Sequence, residues 1–301
     1  MLIIEPIITS LPNMCVTVLA TLAITLIFKT SYTTNFAQGV ISALGCYVVS
    51  DLFFMAGWKI YFGLPVGILA GIAAGLFIDI VIFRRGKNVN AIGKQIITMG
   101  LVSVFYGALS LIYREKAANN IKFGYFSERV LSIGELRLSV NTLICVAITV
   151  VIVAAVFVCL YFTKWGLGVR ATASNEFVAD MLGVNTHAIT AISWALAGAL
   201  GAVAATIFAT IPSNINYPLF LTSVQVNAFM AGILGGFSTF FGPVLAAIII
   251  PLATILVRVL SLVDGFNGLT SWVDAVVYVL ILLVILAKPQ GLFGKRTVKK
   301  V

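Results

Sequence analysis

Charge is scarce in this sequence, and histidine is nearly absent. Asp, Glu, Lys and Arg together make up 10% of the 301 residues, and a single residue is His. Soluble globular domains carry about a quarter charged residues, so this composition argues against a soluble protein. One histidine cannot supply a His-Glu-x-x-His zinc motif, and it leaves no convincing Ser-His-Asp triad. These shortages exclude zinc and hydrolase sites of those kinds.

Motifs that bind nucleotides or metals are missing as well. The chain has no Gly-x-x-x-x-Gly-Lys-Ser/Thr phosphate loop, so it cannot bind and split ATP in that way. Its four cysteines lie within apolar runs, lack metal-ligand spacing and are expected to be reduced packing residues: Cys15, Cys46, Cys145 and Cys159. We expect no catalytic residue, no metal ion and no cofactor.

Long apolar runs dominate what is present. Hydrophobic residues make up 61% of the chain, and its mean hydropathy is +1.11. Because a bilayer span needs about 20 mainly apolar residues, the runs predict an all-α, polytopic transmembrane helical bundle of about eight or nine segments, in one domain over 1–301. The predicted helices cover residues 7–28, 36–54, 61–83, 96–113, 140–162, 188–211, 222–235, 243–260 and 272–287. The seventh is short and is expected to be a half-helix or a re-entrant segment packed inside protein.

The positive charges predict the orientation in the membrane. A net charge of +9 would suit nucleic acid, but in a membrane protein Lys and Arg gather in cytoplasmic loops. With the N-terminus outside and the C-terminus in the cytoplasm, twelve of the 19 basic residues lie inside: Lys29, Arg84, Arg85, Lys87, Lys94, Lys164, Arg170, Lys288, Lys295, Arg296, Lys299 and Lys300. The opposite orientation would place the basic tail outside. Residues 7–28 follow no basic leader, so we expect a retained helix rather than a signal peptide.

The polar segment 163–187 lies between two apolar runs, on the cytoplasmic side of this arrangement. It predicts a short helix from about Asn175 to Leu182, capped by Ser174 or Asn175, with Glu176 in the first turn. Four residues at helical spacing form an apolar face: Phe177, Val178, Met181 and Leu182. A helix that lies on lipid usually carries Lys and Arg, whereas this one carries acids. We therefore favour a protein-docking surface that couples an external energy source to the membrane part.

Two further residues are expected to fix this helix. Gly183 can adopt the left-handed conformation that ends a helix. Arg170 is expected to orient the helix through carbonyls or a carboxylate, with Glu176 and Asp180 the nearest acids in sequence. We predict that Arg170 and the docking helix act together in coupling.

Amide side chains occur in two apolar regions. Asn35 and Gln38 stand at the entrance to the second predicted helix, and Gln225 and Asn227 lie in the seventh. An amide in hydrocarbon needs a polar partner, which can be water, substrate or another helix. These four residues therefore either line a polar path or bond neighbouring helices together, and the sequence leaves both interpretations open.

Small residues predict close packing and a tight turn. Two helices carry small residues at four-residue spacing, which favours close helix approach over the alternative of a hinge: Gly67, Gly71 and Gly75, and Ala197, Gly201 and Ala205. A second group brackets a reversal between the seventh and eighth helices: Gly235, Gly236, Gly242 and Pro243.

Four motifs, in this order, resemble the permease subunits of bacterial ABC importers for branched-chain amino acids. Residues 35–39 resemble an Asn-Phe-Ala-His-Gly motif, with Gln38 in place of His. A cytoplasmic loop pattern is matched by Gly166, Arg170, Ala171, Asn175, Ala179, Gly183, Val184 and Asn185. The pair at 235–236 and the tail at 288–294 match the remaining two motifs.

The resemblance implies a transport function and a set of partners. It implies a permease subunit in a bacterial cell membrane that moves branched-chain or related aliphatic amino acids by alternating access. The implied partners are a second permease subunit, two cytoplasmic ATPase subunits that hydrolyse ATP, and an external binding protein. Alternatives are an importer of the same class for a sugar, a nucleoside or urea, or a stand-alone secondary transporter. A secondary transporter should carry charges in mid-membrane, and only Asp79 and Asp274 come close.

Overall fold

Helices make up most of the chain that the computed structural model describes, which comprises residues 4–85, 89–118, 124–133, 136–211, 223–261 and 267–294. The α-helices are α1 (Ile4–Ser31), α2 (Gln38–Ala56), α3 (Ile60–Phe77), α4 (Ala91–Ala118), α5 (Val140–Phe162), α6 (Lys164–Thr172), α7 (Glu176–Met181), α8 (Thr186–Thr210), α9 (Gln225–Gly235), α10 (Phe241–Leu260) and α11 (Val273–Ala287). A π-helix (Ile78–Phe83) continues α3, a 3₁₀ helix (Asn267–Trp272) precedes α11, and a hairpin joins β1 (Val130–Ile133) to β2 (Leu136–Ser139).

Within the described residues, eight helices are long and apolar enough to span a bilayer, which confirms the all-α membrane bundle. The helix predicted at 140–162 has the predicted bounds, and the others shift by a few residues. The hairpin and α6 were not expected. Part of the evidence for orientation and for the seventh helix lies outside the described residues, namely Thr222, Lys87, Lys295, Arg296, Lys299 and Lys300.

Helix α8 forms the centre of the bundle, where it packs against α1, α2 and α3. The approach to α3 is so close that a methyl group added at Gly75 would fall on the carbonyl of Trp194. One added at Gly71 would meet the backbone of Gly198 in the same way. Backbone contact of this kind is available only to residues without a side chain, so these glycines serve packing.

Helix α8 packs against α2 with one face and against α3 with a neighbouring face, and both faces carry small residues. The face predicted from sequence turns towards α2, because Gly201 lies against Ser42 and the Ala197 carbonyl accepts a bond from Gln38. The α3 contact belongs instead to the neighbouring stripe of Trp194 and Gly198. The spacing therefore identified the helix correctly but assigned one face where there are two.

Helix α9 is about half the length of a membrane span. Its eleven residues rise about 16 Å, against a hydrocarbon core of about 30 Å. It begins beside the start of α2, where Gln225 accepts a bond from the Gly39 N–H. It ends at the reversal, where Gly236 has a φ of +82°. This agrees with the prediction of a short segment buried in protein.

The reversal after α9 is held from two sides. Gly235 and Gly242 meet backbone to backbone, and the Leu292 N–H donates to the Leu234 carbonyl at 2.7 Å, which binds the tail to the turn. Lys29, at the end of α1, donates to the Ser238 carbonyl at 2.6 Å. Pro243 lies in the first turn of α10, where a missing N–H leaves no helical bond unmade.

Candidate functional site: a coupling surface and a buried amide network

Segment 163–187 forms two short helices rather than one. Thr163 caps α6 by accepting a bond from the Gly166 N–H at 3.2 Å. The two glycines of α6 lower its intrinsic helix propensity, which hid this helix in the sequence. They also let α6 pack closely, since a methyl group on Gly166 would meet the Leu160 carbonyl and one on Gly168 would meet Ile189. Helix α6 thus fixes the segment to the C-terminal end of α5 and the N-terminal end of α8.

Helix α7 has well-defined ends. Asn175, not Ser174, is its cap and accepts a bond from the Val178 N–H at 3.1 Å. Gly183 has a φ of +83°, and the Val184 N–H then bonds back to the Ala179 carbonyl at 3.0 Å. This six-to-one bond is the Schellman closure of a helix. The helix is therefore Glu176–Met181, one residue shorter at each end than expected.

The apolar face of α7 points away from the protein. Phe177 and Met181 are each 73% exposed and Leu182 is 79% exposed, while Ala179 on the opposite side is buried. Large apolar side chains exposed together on one helix mark an interaction surface more often than chance. The surface made of Phe177, Val178, Met181 and Leu182 is called the coupling face below.

A groove separates α7 from the end of α1. It encloses about 580 Å³ and is lined by Tyr32, Ser174, Asn175, Glu176, Phe177, Asp180, Thr186 and His187. Tyr32 has a φ of +49°, which L-residues adopt at a cost, and its hydroxyl donates to the Ala173 carbonyl. Burial and the nearby Glu176 carboxylate raise the pKa of Tyr32. The contact ties the loop between α6 and α7 to α1.

Arg170 does not take the partners expected of it. Its guanidinium lies over the Tyr161 ring, 5.4 Å from the centroid, and it makes no ion pair with Glu176 or Asp180 within the described part of the chain. Long side chains on a helix lean towards its N-terminus, so Arg170 turns back to α5 rather than forward to α7. Asp180 instead accepts a bond from the Thr186 hydroxyl at 3.5 Å. The expected carboxylate partner was wrong, and a role in coupling stays a prediction.

Three of the four predicted amides meet in one buried network. Asn35 donates to Gln38 at 3.2 Å, and Gln38 donates to the Ala197 carbonyl of α8 at 2.9 Å. Gln225 accepts from the Gly39 N–H at 2.9 Å and donates to the Phe36 carbonyl at 2.5 Å. None of the three amides is more than 6% exposed. In this conformation Gln38 and Gln225 join α2 to α8 and α9, while the bonds of Asn35 stay within the start of α2.

The network lies deep in the bundle. Ala197 is eleven residues beyond Thr186 on α8, a rise of about 16 Å. The backbone between α1 and α2 is irregular at this depth, and irregular backbone is tolerated there only when its polar groups are satisfied by protein. Asn35 accepts from the Ala37 N–H at 3.0 Å, and Thr98 accepts from the Phe36 N–H at 3.2 Å. The amides therefore complete the start of α2.

Asn227 lies apart from this network. Its side-chain oxygen accepts a bond from the Tyr278 hydroxyl of α11 at 3.0 Å, and it is half-buried. The structure thus separates Asn227 from Asn35, Gln38 and Gln225. Thr98 of α4 was missed from sequence because a single threonine in an apolar run has no distinguishing pattern.

Comparison with known proteins agrees with these features. The sequence model of a family described as "Branched-chain amino acid transport system / permease component" matches residues 7–286. The chain is 26% identical over 285 residues to the high-affinity branched-chain amino acid transport system permease protein LivH of Escherichia coli K12, covering 89% of this chain and 87% of that protein. It is 24% identical over 289 residues to the probable branched-chain amino acid transport permease protein LivH of Methanocaldococcus jannaschii, covering 92% and 88%.

A solved structure shares the fold. The structure titled PsaBC from Streptococcus pneumoniae in complex with Fab matches with a TM-score of 0.53 and 14% sequence identity, over 95% of this chain and 91% of that one. At this identity the likeness concerns the fold alone. The family match extends over nearly the whole chain and includes the coupling face, the amide network and the reversal. The chain is a multi-pass membrane protein, and it belongs to the family of permease components of branched-chain amino acid transport systems.

Proposed function

We propose that this chain is the membrane-spanning subunit of an ATP-driven importer, which translocates branched-chain or related aliphatic amino acids by alternating access. It is a transport subunit rather than an enzyme. Its partners would be a second permease subunit, two cytoplasmic ATPase subunits that hydrolyse ATP, and an external binding protein that delivers substrate. The N-terminus would lie outside and the C-terminus in the cytoplasm.

The coupling face is the observation that supports this proposal best. Helix α7 is a capped helix of six residues that exposes Phe177, Met181 and Leu182. Exposure of these apolar side chains does not stabilise the subunit itself. A groove on an ATPase subunit would bury these side chains, at about 25 cal/mol for each Å² of apolar surface removed from water. The groove between α7 and the end of α1 would leave space for a movement of the helix. The exposed apolar face and the groove are both expected of a helix that a partner subunit moves.

The amide network would lie beside the substrate path in this proposal. In the present conformation Asn35, Gln38 and Gln225 bond to protein atoms. Alternating access would require this region to rearrange, since it joins α2, α8 and α9 at mid-depth. The bonds would then open towards water or substrate in another state. Bonding between helices without any path remains the alternative.

The test compares a double aspartate variant at α7 with a single aspartate variant expected on the opposite side of the membrane. The double variant Met181→Asp/Leu182→Asp should insert normally but lose ATPase subunits on purification and lose uptake. Met55→Asp is the matched control, because Met55 is 78% exposed near the other end of a spanning helix. Retained ATPase co-purification and uptake in the double variant would contradict the proposal.

The substrate is tested separately. Proteoliposomes that contain the complete complex should take up labelled leucine, isoleucine or valine when ATP and the binding protein are present. A sugar, a nucleoside and urea serve as competitors. Uptake of one of these instead of the aliphatic amino acids would retain the importer and reject the substrate.

A further inference from the structure

Asp79 and Arg84 form an ion pair at the end of α3 that none of the sequence motifs includes. The Arg84 Nε and Asp79 Oδ2 atoms are 3.4 Å apart, and Asp79 is only 4% exposed. The pair depends on the π-helix. Residues five apart on an α-helix point about 140° away from each other. In the π-helix the Arg84 N–H bonds to the Asp79 carbonyl at 3.0 Å, so the two side chains lie on one side.

Arg84 also reaches the first turn of α8. Its Nη2 atom donates to the His187 carbonyl at 3.2 Å. His187 is the last residue of the segment 163–187 that contains α7, so one guanidinium bridges that segment and the buried carboxylate of the π-helix. Several helices meet beside this ion pair. A cavity of about 130 Å³ next to it is also lined by Thr30 of α1, Lys94 of α4 and Glu176 of α7.

The contacts farther along α3 and α8 make this bridge mechanically important. The backbones of these helices touch at Gly71 and Gly198, and at Gly75 and Trp194, so neither helix can move closer to the other there. Near the His187 end, two side chains of the π-helix link α3 to α8 and to the end of the coupling segment (residues 163–187). Arg84 bonds to the His187 carbonyl, and the Phe83 ring lies 5.2 Å from the Trp194 ring. Of these two side chains, Arg84 is the one that bonds to the last residue of that segment, so a displacement of that residue would act on α3 through Arg84.

We propose that Arg84 is a positioning residue that transmits movement of the coupling segment to α3, and that Asp79 holds its side chain in place. The inference rests on the proposed function, because it needs an ATPase that moves α7. It adds a link inside the membrane subunit that the coupling face alone does not provide. A π-turn at this point is consistent with a functional role, since such turns are frequent at functional sites.

The first test measures uptake and ATP hydrolysis together in the complete complex. Arg84→Met should lower the amount of substrate taken up per ATP hydrolysed by about tenfold, within the usual range of coupling between sites, while hydrolysis continues. Arg84→Lys should restore part of the ratio, because an ammonium group reaches one partner and not both. Arg85→Met is the matched control: Arg85 is exposed and should give the ratio of the unsubstituted complex.

The second test does not depend on which solute is carried. A Trp58→Cys substitution, in a chain whose four native cysteines are replaced, places a thiol in the turn just before α3, at the end of the helix remote from Arg84, where Trp58 is 44% exposed. ATP with vanadate should change its rate of reaction with a membrane-impermeant reagent. The change should disappear with Arg84→Met and persist with Arg85→Met. A shift that is equal in both variants, or absent from the parent, would overturn the inference.

Two complications are resolved by the same design. If Arg84→Met does not insert, the double variant Asp79→Asn/Arg84→Met replaces it, since it leaves no unpaired buried charge. It should show the same loss of the thiol response, and a response at the parent level would overturn the inference. If the parent complex carries none of the aliphatic amino acids yet shows a thiol response that Arg84→Met abolishes, the proposed substrate fails and the link through Arg84 stands.

Discussion

Replacement of Gln225 by leucine tests what the amide network contributes. The Gln225 side chain satisfies the Gly39 N–H and the Phe36 carbonyl, both at the buried start of α2. Leucine has a similar size but no polar atom, so it leaves both backbone groups without that partner. An unsatisfied buried group costs about 1–3 kcal/mol, which gives about 2–6 kcal/mol for two groups. Interhelical bonds in membrane proteins average about 0.6 kcal/mol, so we expect a cost at the lower end of that range, about 2–3 kcal/mol.

The assay is the unfolding equilibrium of the purified subunit in mixed micelles, with Asn227→Leu as control. Asn227 lies on the same helix but makes a single bond to the half-buried Tyr278, so its loss should cost about 1 kcal/mol or less. Equal stability of the two leucine variants would refute the network argument. Gln225→Glu adds a pH test. Its neutral carboxyl group can both donate and accept, so stability should be retained at low pH and fall at a pH high enough to ionise the buried carboxyl group.

Two further predictions concern glycine packing and the α7 cap. Gly75→Ala should destabilise the subunit by about 1–3 kcal/mol, because the added methyl group overpacks against α8. Gly100→Ala should be neutral or stabilising, because a methyl group there meets nothing within 4 Å. Thermal unfolding in detergent compares the two variants, and equal effects would contradict close packing at Gly75. Asn175→Ala should destabilise α7 by about 1 kcal/mol and reduce ATPase co-purification, whereas Ser174→Ala should do neither. A larger loss with Ser174→Ala than with Asn175→Ala would identify Ser174 as the cap.

The spanning helices could be predicted from sequence because the bilayer sets their length and composition. The run at 140–162 is apolar throughout and ends at polar residues, so its bounds were fixed by hydropathy alone. Helix ends elsewhere were less well determined. Helix α4 continues beyond 96–113 in both directions into polar residues, where propensity and not hydropathy decides.

The site was predictable where local chemistry determines it. Asn175 and Gly183 bound α7 because capping and a left-handed residue act within one turn. Partners distant in sequence were not predictable. Arg170 stacks on Tyr161, and Gln38 bonds to Ala197, because tertiary packing chooses among several possible acceptors. The Asp79–Arg84 pair was hidden for another reason, since a five-residue spacing separates two side chains on the α-helix that the sequence predicts.

Helix α8 explains why these separate features could act together. Its first turn accepts a bond from Arg84 at His187, its middle accepts one from Gln38 at Ala197, and its backbone touches α3 at Gly198. The first two bonds are made to backbone carbonyl oxygens of α8. Their lengths therefore depend on the position of the helix and not on the rotamer of an α8 side chain. A shift of α8 by about 2 Å across an ordinary hydrogen bond of 2.9 Å would lengthen it to about 3.5 Å, beyond its normal range. Such a movement of α8 would therefore perturb the amide network and the Arg84 bond together, whichever solute is carried.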